Sequence, residues 1–346
     1  MTARERVLAA FSHREPDRVP VWYGAASGLT KRLIERCRVA DEEALLRRLG
    51  IDFRSVRPRY VGPDLGDRTI WGVRRGGAYY GQPLTHPLAD AVTVEQVEAY
   101  PGWPSPDWFD CADVRARCEP WRDFAITGGP WAVVFTDATE LVGMETFFER
   151  MYTHPDVMEA VLRKVSDVYY EVATRFFAAA GGRVDIFFFG DDMGTQQAML
   201  ISPEHWRRFC RPHVERFAAL GRQAGVRVMF HCCGSIRPII GDLCDAGVDA
   251  LNPIQVRARQ MDLAELKHAF GRRLTFHGCL DHQQVLPRGT ADEVRAEVRR
   301  VIGVMAPGGG FCLAPSHDLL LDEFPVENVV AMYDEATSYG WYSGIR

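Results

Sequence analysis

Six short apolar runs follow one another from about residue 120 onward, each ending in polar, glycine or proline residues and leading into a longer stretch of helical periodicity. They cover 124–127 before Gly128, 184–189 before Gly190-Asp191-Asp192, and 226–230 before His231-Cys232-Cys233-Gly234. The others cover 250–251 before Asn252-Pro253, 274–276 before His277-Gly278, and 311–314 before Pro315-Ser316-His317. Such alternation calls for a parallel sheet, because parallel neighbours need a crossover connection that a helix supplies. Residues 19–23 and 53–56 add two strand-like runs upstream. Eight such runs in 346 residues predict an α/β fold, a (β/α)8 TIM barrel that occupies 1–346 as a single domain.

Helix signals fall between the runs. Residues 155–180 carry Val157, Met158, Val161, Leu162, Val165, Val168 and Tyr169, a stripe of period 3.6. Ser202-Pro203 offers an N-cap followed by proline in the first turn, and Thr290 to Glu293 has the pattern of a capping box. A short helix over 2–11 precedes the first strand. The stretch 58–110 is rich in glycine, proline and aromatic residues, which predicts an irregular or hairpin-like insertion near the barrel mouth. Its Tyr60, Trp71, Tyr79 and Tyr80 are expected to pack on the barrel in preference to lining a pocket. The two commonest nucleotide-phosphate motifs, Gly-x-Gly-x-x-Gly after the first strand and Gly-x4-Gly-Lys-Ser/Thr, do not occur.

The 46 acidic and 41 basic side chains, net −5, are spread along the chain with no basic stripe, so nucleic acid is not an expected partner. No apolar run approaches the ~20 residues that cross a bilayer, and residues 1–14 mix arginine and glutamate without an apolar signal segment. A cytoplasmic protein with no membrane partner is expected. Nine cysteines, an odd count at scattered spacing, predict reduced thiols and no disulfide framework.

In a parallel α/β barrel the residues just past the carboxyl ends of the strands share one mouth. Here those positions hold Asp191-Asp192, His231 to Cys233, Asn252 with Gln255, His277 with Asp281, and His317-Asp318. Side chains alternate along an extended strand, so His231 and Cys233 point one way and Cys232 the other. An imidazole and a thiolate at one strand end suit zinc, which accepts both ligand types. His317 is the first choice as third ligand, with Cys312, Cys279 and His277 as alternatives. Asp191 and Asp192 are candidates for orienting substrate or for general-base work, because neighbouring carboxylates push one pKa upward. Asp281 is a further candidate proton carrier. Gln196, Asn252, Gln255 and His277 are candidate hydrogen-bonding contacts to substrate, and Glu145 is another mouth residue.

The opening Arg4-Glu5-Arg6-Val7-Leu8-Ala9-Ala10-Phe11, followed by Glu15-Pro16-Asp17-Arg18-Val19-Pro20, resembles the start of the uroporphyrinogen decarboxylase superfamily. The likeness continues through Gly309-Gly310-Phe311-Cys312-Leu313-Ala314-Pro315-Ser316-His317 and Pro325-Val326-Glu327-Asn328-Val329. Phe230-His231-Cys232-Cys233-Gly234 resembles the His-x-Cys-Gly segment of its methyltransferase branch. Residues 23–28 and 55–60 lack the Arg-rich, Gln-Ala-Gly-type and Phe-Ser-Asp patterns of true decarboxylases, so porphyrinogen decarboxylation is not expected. The branch resemblance implies zinc held by His-x-Cys and a later cysteine, a methyl group moving between a corrinoid protein and an acceptor, and a homodimer. The later cysteine falls on His317 here, which leaves a His2Cys set. No corrinoid-binding Asp-x-His-x-x-Gly segment occurs, so any corrinoid arrives on a separate protein.

The leading expectation is a zinc-dependent methyltransferase acting on a small molecule, because zinc deprotonates a bound thiol at neutral pH. Two alternatives stand beside it. One is a metal-assisted decarboxylase or lyase for a small carboxylated substrate, with Asp191 or Asp281 moving the proton. The other is a non-catalytic corrinoid- or tetrapyrrole-binding protein.

Overall fold

The computed structural model describes residues 1–77 and 81–343, so Tyr79 and Tyr80 lie outside the described residues. Seven strands form one curled sheet in chain order: β1 (Phe53–Val56), β2 (Ala125–Gly128), β3 (Ile186–Gly190), β4 (Arg227–His231), β5 (Ala250–Ile254), β6 (Thr275–Leu280) and β7 (Phe311–Pro315). Every neighbouring pair is parallel. The strands run further than the apolar runs do, most of all β5 and β6. Asn252 and His277, which the pattern takes as stops, are fully buried and hydrogen-bond to each other across the sheet.

The expected eighth strand over 19–23 is corrected to isolated bridging. Val21 bridges Leu313 in parallel, with Leu313 N–H donating to Pro20 O and Trp22 N–H to Leu313 O. A regular ladder fails here for two reasons. Pro20 has no N–H to donate, and the Val21 N–H goes to the Asp52 carboxylate at 2.8 Å in place of a neighbouring carbonyl.

Two apolar layers flank the sheet. The inner one joins Phe53, Ala125, Ile186, Phe188, Met229, Ala250 and Cys312 to Val7, Ala10 and Phe11 of helix α1 (Ala3–Phe11). Helix α1 begins with a capping box between Thr2 and Glu5. The outer layer packs the opposite strand faces, Phe187, Val228 and Leu251 among them, against surrounding helices. Those include α2 (Val134–Val142) and α3 (Pro155–Ala180), whose bounds match the stripe seen in the sequence. The capping box at Thr290 and the N-cap at Ser202 are also present.

The stretch 58–110 contains two short antiparallel pairs, 59–60 with 109–110 and 75–76 with 82–83, and a helix at Val94–Glu98. Trp71 is buried against Trp103 and Tyr169, as packing requires, whereas Tyr60 is exposed. Among the described residues no helix is long and apolar enough to cross a membrane.

Candidate metal centre

The loops after β3 and β4 lie backbone against backbone. A Cβ on Gly190 would stand 2.3 Å from the His231 carbonyl oxygen, and one on Gly194 would stand 2.4 Å from that of Cys233. Asp191 N–H donates to His231 O, and Ser235 N–H to Thr195 O. Only glycine permits this approach, and its result is that Asp192 meets Cys233, whose N–H donates to Asp192 Oδ1 at 3.2 Å.

Asp192, His231 and Cys233 therefore form a cluster whose ligand atoms lie within 4.8 Å of one another. His231 Nε2 is 3.5 Å from Cys233 Sγ and 3.4 Å from Asp192 Oδ1. Zinc–sulfur and zinc–nitrogen bonds of about 2.3 and 2.0 Å at a tetrahedral angle place their donors about 3.5 Å apart, and nitrogen and oxygen donors about 3.3 Å apart. The two distances from His231 thus match a tetrahedral ion, and imidazole, thiol and carboxylate are all zinc donors.

Behind the cluster runs a buried relay. His231 Nδ1–H donates to Asn252 Oδ1 at 2.8 Å, and Asn252 Nδ2–H donates to His277 Nδ1 at 2.8 Å. An amide oxygen can only accept, so His231 Nδ1 carries a proton and Nε2 is the ring nitrogen turned toward Asp192 and Cys233. His277 is held between Trp22 and Phe53, and its Nε2 has no partner among the described residues. Burial and the nearby His231 push its pKa down to about 3, which keeps it neutral.

Electrostatics at the cluster follow from close packing. Asp192 is exposed at the cavity; the crowding around it opposes ionisation, but the His231 ring and the Cys233 N–H outweigh that and hold the carboxyl down at about 2. Burial likewise opposes charge on His231, yet Cys233 and Asp192 raise its pKa well above the ordinary range. Burial pushes the Cys233 thiol up, with His231 pulling the other way. Cys232 is fully buried in the outer layer, as strand parity predicts.

The other sequence candidates divide. His317 lines the cavity of about 460 Å³ that also holds Asp192 and His231, but it stands outside the cluster. Its Nδ1 accepts from Leu319 N–H, and its ring stacks on His282. Cys279 and Cys312 are fully buried and also stand outside the cluster. Asp191 spends both oxygens on the Phe135 and Thr136 N–H groups at the start of α2. Its pKa rises to about 8 because it is buried, with Asp137 adding to the shift; neighbouring Asp192 is not the cause. Asp281 accepts from Arg257 Nε and from the Gln283 and Gln284 N–H groups, off the cavity. Gln196 and Gln255 hydrogen-bond each other at 2.7 Å. Glu145 is exposed and lines an adjoining cavity that shares Asp192.

Three cavity residues escaped the sequence reading. Trp131 stands 5.4 Å from the His231 ring, and Tyr169 OH donates to Asp137 Oδ2 at 2.6 Å. Burial raises the Asp137 pKa to about 7. The available signal was a lone acid in the apolar run Val133-Val134-Phe135-Thr136-Asp137.

Fold and site together define a TIM-like α/β protein with a metal-capable centre at its mouth. Residues 124–339 match the model of the uroporphyrinogen decarboxylase (URO-D) family, and the chain belongs to that family. Among solved structures, a methyltransferase from Methanosarcina mazei is similar at TM-score 0.67 and 21% identity, over 98% of this chain and 99% of that one. No curated protein matches significantly.

Proposed function

We propose that this chain is a zinc-dependent methyltransferase-like enzyme, moving a methyl group between a small substrate or a separate corrinoid protein and an acceptor. The observation that carries the reading is the donor spacing in Asp192, His231 and Cys233. The likeness to the Methanosarcina mazei protein, which is named a methyltransferase, supports the same direction. In this reading 1–346 act as one domain, and Trp71 and Arg75 of the 58–110 stretch wall the mouth beside His231.

Asp192, His231 and Cys233 would hold the ion, with Asp192 taking the third place that the resemblance gives to His317. Bound zinc supplies Lewis acidity and favours the thiolate form of a sulfur ligand at neutral pH. Asn252 fixes the His231 tautomer, and its neutral partner His277 adds no charge behind it. His317 and Asp318 line the same cavity and are placed to orient what enters it. Trp131 and Trp71 exclude water from one side. In the decarboxylase or lyase alternative Asp191 and Asp281 are committed elsewhere, which leaves Asp137 with Tyr169 as the proton carrier on the cavity.

Mixing the zinc-loaded protein with methylcobalamin and a panel of thiols tests the reading. Conversion of the methylcobalamin spectrum with at least one thiol, abolished in Cys233→Ala, is expected. An unchanged spectrum with every thiol overturns methyl transfer from a corrinoid.

A further inference from the structure

Arg57 directly follows β1 and meets the same strand-end criterion as the metal cluster. Its Nη1 donates to the carbonyl oxygens of Gly129 at 3.0 Å and Phe188 at 3.1 Å, which fix the guanidinium without neutralising it. Its charged carbon sits 5.4 Å from the Trp131 ring and 5.8 Å from the Phe188 ring. Among the described residues no carboxylate pairs with Arg57, and no acceptor meets its Nε or Nη2. The most buried arginines behave differently: Arg6, Arg18 and Arg54 each have a carboxylate partner. Burial, with no counter-charge to oppose it, lowers the Arg57 pKa to about 10. Arg57 is half-buried, and a guanidinium held in place with no counter-charge from the chain calls for an explanation.

The explanation lies in the space beside it. Arg57 lines a cavity of about 420 Å³ with Trp22, Phe53, Ser55, Thr127 and Phe188, a volume suited to a small molecule. Glu43, on the same cavity, is taken by Arg54 and Arg47, while Glu42 is exposed at the rim. The free Nε–Nη2 edge is the side of a guanidinium that grips two oxygens at once. Trp131, which lines the cavity on the cluster's side, stands 5.4 Å from both the Arg57 guanidinium and the His231 ring.

We propose that Arg57 seats the anionic end of the substrate, a carboxylate, sulfonate or phosphate group, with the rest of the molecule passing Trp131 toward Asp192, His231 and Cys233. The identity of the reacting end rests on the methyl-transfer reading; the anion seat itself does not.

The test is calorimetric titration of the full chain with propionate, methanesulfonate or inorganic phosphate, and with neutral propionamide, before and after metal removal by a chelator. At least one oxyanion is expected to bind at one site per chain in both metal states, and propionamide is not. The oxyanion that binds best identifies the group. Binding is expected to weaken about tenfold or more in Arg57→Gln and less in Arg57→Lys, with circular dichroism confirming that both fold. The wild-type contrast between oxyanion and amide stands even where a variant does not fold. Equal binding of oxyanion and amide, undiminished binding in folded Arg57→Gln, or binding only with metal present would overturn the proposal. Anion binding without methyl transfer from methylcobalamin would overturn the preceding reading alone.

Discussion

The two ends of the barrel use the same residue types and treat them in opposite ways. At the amino end Asp52, Asp185 and Asp249 stand just before β1, β3 and β5. Each accepts a backbone N–H from the neighbouring segment, Val21, Ile126 and Val228 in turn. Each also pairs with arginine: Asp52 with Arg6 and Arg18, Asp185 with Arg4, and Asp249 with Arg227. At the mouth Arg57 has no carboxylate among the described residues, His277 keeps an unpartnered nitrogen, and Asp192 leans on His231 and Cys233. Buried polar groups satisfied by the chain itself hold the fold together, and at the mouth His277 and Arg57 keep hydrogen-bonding capacity that the chain does not use.

The largest effect is expected at the amino end. Asp52→Ala strands the buried Arg18 guanidinium and the Val21 N–H and leaves Arg6 with Asp17 alone, and should cost about 3–5 kcal/mol in chemical denaturation. Arg57→Gln at the mouth should cost far less. A loss for Arg57→Gln as large as that for Asp52→Ala would erase the distinction between the two ends. Next in size is Asn252→Ala, which frees the His231 ring from its relay and should weaken zinc binding about 10–100-fold in a competition titration. Unchanged affinity would show that the relay does not orient the ligand.

A further contrast separates the ends by pH. Burial opposes ionisation of Asp17, but Arg6 and the Arg18 N–H hold its pKa near 2, below the ordinary 3.8. Its stabilisation is therefore present above pH ~4 and lost as pH falls toward 2. Asp137 at the mouth is raised from 3.8 to about 7, so its contribution is full below pH ~4 and drains as pH rises through 7. Stability measured against pH should show a shallower acid limb in Asp17→Asn and a shallower decline between pH ~4 and ~7 in Asp137→Asn. The reverse assignment of limbs would contradict the picture.

Much of the scaffold was legible because strands buried on both faces read as apolar runs, and because Thr290 and Ser202 carry local capping chemistry. The breakdown of the expected eighth strand was not, since it depends on a carboxylate 31 positions away taking the Val21 N–H. At the site, alternation along β4 was enough to separate Cys233 from Cys232. The partner Asp192 emerges only because Gly190, Gly194 and Gly234 let two loops touch, a long-range fit that spacing along the chain does not carry. Asp191, Asp281, Gln196 and Gln255 sit at strand ends as the other candidates do, and their hydrogen bonds tie them to α2, to Arg257 or to one another. Position in a barrel narrows the candidates; unspent hydrogen-bonding capacity chooses among them.

The central claim is that Asp192, His231 and Cys233 together hold a zinc ion. Zinc content of the full chain, measured by elemental analysis after equilibration with limiting zinc, tests it most directly. We expect about one zinc per chain in the wild type and in His317→Ala, and loss in Cys233→Ala and Asp192→Ala. Zinc retained in Asp192→Ala and lost in His317→Ala, or none in the wild type, would contradict it.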